Sequence, residues 1–162
     1  MRLYLFRHAW AEERNPVRYP DDSQRPLTAA GQDRFRQFVA RLSASGLRLD
    51  RIATSPFVRC LQTAELLAAG CDPRPPITEH PALATDLDLA VLLDWTRAQR
   101  VASVGWVGHA PDMGEFVAQL IGDRRAQVHF SKGAAALLEF ADEVATGRGE
   151  LRWLVTAKIL GC

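Results

Sequence analysis

The chain has 162 residues, 48% of them hydrophobic, and a formal net charge of +1 from 20 Lys+Arg against 19 Asp+Glu. That length suits one domain, read as spanning 1–162, with enough chain to bury a core without disulfides or metal, and the composition excludes collagen, disorder, a membrane bundle and a disulfide miniprotein. A charge balance this close to zero argues against nucleic acid and anionic membranes as partners, while a neutral sum still accommodates a local basic pocket.

The apolar opening Met1–Phe6 stops at Arg7 and His8, too soon for a signal-peptide core or a membrane span, and no later apolar run reaches spanning length. Cys60, Cys71 and Cys162 have no metal-like spacing. An odd count without a secretory signal reads as reduced thiols in a cytoplasmic protein. Residues 2–6 read as a strand that is apolar on both faces, Leu3/Leu5 and Tyr4/Phe6. Residues 11–26, with Pro16, Pro20 and Pro26, form a long loop of the kind that often serves as a lid or binding segment. Thr28 is the expected N-cap of a helix carrying Phe35, Phe38, Val39 and Leu42 on one face, with Gly46 as its stop. A second strand covers 51–54, and Ser55-Pro56 is expected to cap and start a helix running to Ala69. A short strand at 77–79 follows, then a helix carrying Leu89, Leu92 and Leu93, capped by Asp86 or Asp88. Residues 101–107 read as another buried strand, and Pro111 opens a helix with Met113, Phe116, Val117 and Leu120 inward. Two closing strands, 134–140 and 150–155, flank a glycine-bearing connection. Strands alternating with amphipathic helices predict an α/β three-layer sandwich with a mostly parallel central sheet and an antiparallel edge.

In such sheets ligands bind beyond the carboxyl ends of the strands. Those ends here are Arg7-His8, the segment Ser55-Pro56-Phe57-Val58-Arg59, and Gly108-His109-Ala110-Pro111. The topology thus gathers two histidines and two arginines. Arginine presents a permanently charged fork of donors matched to phosphate oxygens. A neutral imidazole between two such forks can attack phosphorus, and the cations favour that neutral form. A second histidine, partly protonated near neutral pH, can donate to the transferring oxygens. The helix opening at Pro111 can add N–H groups, and a site whose cations are all protein-borne has no evident need of a metal or cofactor.

Arg7-His8 after a short strand, Ser55-Pro56-x-x-Arg59-x-x-x-Thr63-Ala64, and the late Gly108-His109 together resemble the histidine phosphatase superfamily, which also contains the phosphoglycerate mutases. The small size and the Arg25-Pro26-Leu27-Thr28-x-x-Gly31 segment look most like its SixA-type phosphohistidine phosphatase branch. The resemblance runs from residue 2 to about residue 140 and implies a phosphoglycerate mutase-like fold. It implies His8 as nucleophile, Arg7 and Arg59 as phosphate ligands, and His109 as stabiliser of the transferring phosphoryl group. Two positions depart from the commoner family pattern. Ala9 stands where many members have glycine, and the stretch His80-Pro81-Ala82-Leu83-Ala84-Thr85-Asp86 lacks the mid-chain glutamate that serves as general acid. SixA-type proteins similarly lack that acid. Expelling an alkoxide needs a proton donor worth roughly 10²–10⁴-fold. A leaving imidazole, with a free pKa of about 6.5, is already easy to protonate.

Arg25 is either an ion-pair partner of Asp21 or Asp22 or a further phosphate ligand reaching in from the loop. Asp86 and Asp88 read as helix caps, although Asp86, Asp88 or Asp112 could supply a general acid. His80 and His129 read as packed or surface residues, Ser55 as a helix cap, the tryptophans as packing, and Ser131 and Gly133 as a possible pocket border. The sequence reading is a metal-independent phosphatase acting through a phosphohistidine intermediate. Its substrate is a phosphohistidine-bearing phosphotransfer or phosphocarrier protein. A small-molecule phosphomonoesterase and a non-catalytic phosphate-binding module are the alternatives.

Overall fold

The computed structural model describes residues 1–84 and 88–162. The first strand, β1 (Arg2–Arg7), sends Leu3 and Leu5 into one apolar cluster and Tyr4 and Phe6 into another, as its two-faced pattern predicts. Helix α1 (Ala29–Ala44) is capped by Thr28, whose hydroxyl accepts from Gly31 N, and is stopped by Gly46 at φ +96°. Then follow β2 (Arg51–Thr54), α2 (Val58–Ala69), β3 (Ile77–Glu79), α3 (Leu89–Ala98), β4 (Ser103–Gly108), α4 (Asp112–Ile121), β5 (Ala135–Glu139) and β6 (Glu150–Val155). Asp88 caps α3 through Val91 N; Asp86 lies outside the described residues.

One expected cap is corrected. Helix α2 begins at Val58 with Phe57 at the N-cap position and no side-chain cap. The Ser55 hydroxyl lies 2.9 Å from His109 Nε2 and accepts from Phe57 N at 3.4 Å, one residue short of the helix.

The strand order is β3-β2-β4-β1-β5-β6. β1 to β4 run parallel, while β5 is antiparallel to both β1 and β6, which makes the expected antiparallel edge. The core divides by sheet face. Phe35, Phe38 and Val39 of α1 and Ala64 and Leu67 of α2 pack with Tyr4, Phe6 and Ile52. Leu92 and Leu93 of α3 and Met113, Phe116, Val117 and Leu120 of α4 pack with Leu3, Leu5 and Trp106 on the other face. These are the three predicted layers. Because α1 leaves β1 towards one face and α4 leaves β4 towards the other, the ends of these neighbouring strands form the switch point at which such sheets bind ligands. Among the described residues no helix is long and apolar enough to cross a membrane.

Candidate active site

Register sets the site. Arg7 pairs with Gly108 across β1 and β4, so the next residues, His8 and His109, emerge side by side from adjacent strands. Neighbouring strands lie about 4.8 Å apart, and the two imidazoles end edge to face with centroids 5.4 Å apart. Thr54 pairs with Val107, so Ser55 leaves β2 at nearly the same level.

His8 is held from several directions. Its N–H continues the ladder to Gly108 O at 2.9 Å, and its own carbonyl accepts from Gly133 N at 3.0 Å. Its Nδ1 lies 2.7 Å from Ala9 O. A carbonyl only accepts, so Nδ1 carries the proton and donates, and Nε2 of the neutral ring keeps its lone pair. The ring is 6% exposed. Burial above all, and then the neighbouring His109, Arg59 and Arg7, push its pKa down to about 3 against the opposing bond to Ala9 O. Ala9 N in turn donates to Thr63 Oγ1 at 3.0 Å, and that hydroxyl donates to Arg59 O at 2.6 Å. Thr63 therefore ties the end of β1 to the turn of α2 that carries Arg59.

The two arginines are only partly engaged. Arg7 donates from Nη1 to Phe130 O at 2.7 Å. Arg59 donates from Nη1 to Asp22 O at 2.8 Å and pairs with the Asp22 carboxylate at 3.2 Å. The Nε atoms of both are buried without a hydrogen-bond partner among the described residues. Two orphaned guanidinium donors are costly to bury and point to an anion as their counterpart. Arg59 also lies against the ring of Phe57, 4.9 Å from its centroid.

His109 accepts at Nδ1 from Arg59 Nη2 at 3.4 Å, since a guanidinium has no acceptor, which leaves Nε2–H to donate to Ser55 Oγ at 2.9 Å. Burial first, then Arg59 and Arg7, lower its pKa to about 4. The expectation of a partly protonated ring near neutral pH is thus corrected: His109 is neutral there. The Cys60 thiol, 3.5 Å from its Nε2, is fully buried and pushed up to about 12 by that burial. It packs as an uncharged neighbour.

Arg25 adopts the ion-pair arrangement. Its Nε meets Asp22 Oδ1 at 2.9 Å and its Nη1 meets Glu12 O at 2.7 Å. Asp22 bridges Arg25 and Arg59, and its hydrogen bond from Arg25, chiefly, holds its carboxyl below the usual range. Arg25 joins the site's electrostatic field through Asp22, and the 11–26 loop, closed at its base by the Ala11–Leu27 bridge, is pinned to the site at Asp22.

His80 is packed against Trp95 and accepts from Ala82 N as the cap of the turn Pro81–Leu83, and His129 is exposed. Asp88 is occupied as a cap. Asp112 opens α4 three residues after His109, and burial first, then Glu115, raise its pKa. Sequence reasoning placed Thr63 only in a motif and Asp22 only as a candidate partner of Arg25; it missed the link from Thr63 to Ala9, the pairing of Asp22 with Arg59 and the role of Ser55. Ser55 had a usable signal, since it follows β2 as His8 follows β1. Thr63 had a weaker one, its i+4 spacing from Arg59. The contact of Asp22 with Arg59 spans a long loop and has none. Among the described residues no three His, Cys, Asp or Glu side chains converge as a metal cluster. A cavity of about 910 Å³ lies at the far end of the sheet against Arg2 and Ser103; one of about 440 Å³ is lined in part by Arg7.

A family model described as the histidine phosphatase superfamily (branch 1) matches residues 3–99. An uncharacterized protein of Picosynechococcus sp. is 40% identical over 72% of this chain and 70% of its own. The phosphohistidine phosphatase SixA of Escherichia coli is 29% identical over 94% of this chain and 92% of its own. The solved structure of the protein histidine phosphatase SixA complexed with tungstate superposes with a TM-score of 0.85 and 28% identity, covering 99% of each chain.

Proposed function

The chain belongs to the histidine phosphatase superfamily and is a phosphatase, and from that premise we propose that it hydrolyses phosphohistidine on a protein through a phosphohistidine intermediate on its own His8. The observation that carries this reading is the neutral His8 ring. Its Nδ1–H is fixed on Ala9 O, so Nε2 has a free lone pair, beside two arginines with orphaned buried donors.

In this reading the Nε2 lone pair attacks phosphorus in line. The phosphorus–nitrogen bond to the substrate imidazole breaks, and the departing nitrogen keeps the pair and takes a proton. Arg7 and Arg59 hold the equatorial oxygens, where charge shifts in the transition state. His109 sits with Nδ1 facing Arg59. An oxyanion placed beside them raises its proton affinity and lets it donate. Arg25 contributes positive potential and keeps Asp22 from neutralising Arg59 fully. Water then attacks the phosphorus of phospho-His8, the bond to Nε2 breaks, a water proton returns to the site, and inorganic phosphate leaves. The four cationic or polar side chains supply the charge stabilisation, so we assign no metal or cofactor to the reaction.

The protein phosphohistidine substrate is supported by the missing mid-chain glutamate, by a leaving group with a pKa of about 6.5, and by the kinship with SixA proteins. The partner is then a phosphotransfer or phosphocarrier protein, and the reduced thiols suit a cytoplasmic setting. A second reading, a small phosphate ester, is favoured by Asp112 alone, which opens α4 three residues after His109 and whose proton affinity is raised by burial and by Glu115.

Phosphate release is measured from a phosphohistidine protein, a phosphoserine peptide and sugar phosphates, with chelator present, for wild type, His8→Ala and Asp112→Asn. Release from phosphohistidine that is lost in His8→Ala, with an alkali-stable, acid-labile phosphoryl adduct trapped on the wild type, is the expected result. Faster release from sugar or serine phosphates, lost in Asp112→Asn, replaces the substrate with an ester. No release from any of them, with phosphate affinity retained in His8→Ala, leaves a binding module.

A further inference from the structure

Beside the reaction site lies a groove of about 440 Å³ lined by Arg7, Trp10, Arg34, His129, Lys132 and Lys158 among others, with no carboxylate in its lining. Four other surface cavities each carry at least one, Asp50, Glu139, Glu115 and Glu65 respectively. In a chain of net charge +1, this groove gathers four cations with no carboxylate among them, a combination that none of those four cavities shares. Lys132 and Lys158 are exposed and make no ion pair among the described residues. Arg34 is stacked 4.1 Å over Trp10 and donates to Cys162 O, so it is fixed in place and adds charge. The floor is rigid where it meets the site. Gly133, at φ +68°, gives its N–H to His8 O, and a Cβ there would meet Trp10 at 2.8 Å.

Arg7 belongs to both the groove and the set around His8, so whatever carries the phosphoryl group to His8 lays its neighbouring atoms along these lysines. We propose that this groove is the docking surface for an acidic segment flanking the phosphohistidine of the substrate protein, with carboxylates facing Lys132, Lys158 and Arg34. The inference rests on the protein phosphohistidine reading above. It commits to protein carboxylates because the outer cations are long, exposed lysines, suited to steering and selecting a charged protein surface. Buried, convergent donors would mark a pocket for a small ligand.

The test uses two phosphohistidine peptides, identical except that the phosphorylated residue is flanked by Asp/Glu in one and by Asn/Gln in the other. Each is assayed with wild type, with Lys132→Glu/Lys158→Glu, and with Lys132→Arg/Lys158→Arg, and circular dichroism verifies that all three are folded. Two exposed charge pairs give about a five- to tenfold preference for the acidic peptide in kcat/KM at low salt. That preference is carried mainly in KM and shrinks as salt screens it. It disappears in the Glu variant and is kept in the Arg variant, while the neutral peptide is turned over equally by all three. A wild type that treats the two peptides alike, or a preference that survives the double Glu change, overturns the groove assignment and leaves the phosphohistidine reading intact. Turnover of neither peptide overturns that reading itself.

Discussion

Thr63→Val isolates the link between the end of β1 and the helix that carries Arg59. Valine keeps the volume and removes one hydroxyl, which accepts from Ala9 N at 3.0 Å and donates to Arg59 O at 2.6 Å. The Arg59 carbonyl lies inside α2 and retains its helical donor. The Ala9 N–H belongs to a residue with no solvent exposure and is left without an acceptor. An orphaned buried donor costs about 1–3 kcal/mol. Taking about 2 kcal/mol, a chain of this size melts about 4–8 °C lower. The kinetic effect comes from the same peptide, because the Ala9 carbonyl orients His8 Nδ1. A loosened Ala9 lets the ring rotate, and kcat falls about tenfold or more, as small misplacements of reacting groups do. Thr63→Ser keeps the hydroxyl and recovers most of kcat. Calorimetry and steady-state phosphate release measure both quantities. Melting within about 1 °C of wild type together with kcat within about twofold would refute the link.

Ser55→Ala removes the acceptor of the His109 Nε2–H; kcat is expected to fall about tenfold, more than KM rises, and an unchanged kcat in steady-state assays would return Ser55 to a structural role. Acid lability has a definite sign. His8 and His109 have folded pKa values of about 3 and about 4, below the roughly 6.5 of the unfolded chain. The unfolded state therefore binds more protons as the pH falls. Their contribution to stability is complete above pH about 6.5 and is lost towards pH about 4, at about 1.4 kcal/mol per pH unit for each ring. Urea midpoints should decline from pH 7 to pH 5 more steeply for wild type than for His8→Asn/His109→Asn; parallel declines would contradict the assignment. Thiol labelling of the native protein should modify Cys71 and Cys162 well before Cys60, which is fully buried and pushed up to about 12; equal labelling rates by mass spectrometry would mean that the His109 pocket opens.

Much of this protein is written locally. The two-faced β1, the Thr28 cap, the Gly46 stop and the inward stripe of α4 follow from periodicity and terminal chemistry alone, because each depends on residues within a few positions of one another. The rule that α/β sheets bind beyond their strand ends then picks out Arg7, His8, Arg59 and His109 without coordinates. Strand order and register lie beyond that reach. The placement of β4 beside β1, and so of His8 against His109, depends on pairing between residues a hundred positions apart. Burial is likewise a property of the packed whole. The neutral state of His109 near pH 7 and the inert Cys60 come from desolvation that no local pattern encodes. Ser55 reads as a helix cap until the sheet brings His109 to its hydroxyl, and Asp22 reads as a partner for nearby Arg25 alone until the chain folds back to set it against Arg59 as well. Local sequence chooses the elements and the reactive groups; long-range pairing and the exclusion of water choose their partners, their protonation and the direction in which each one points.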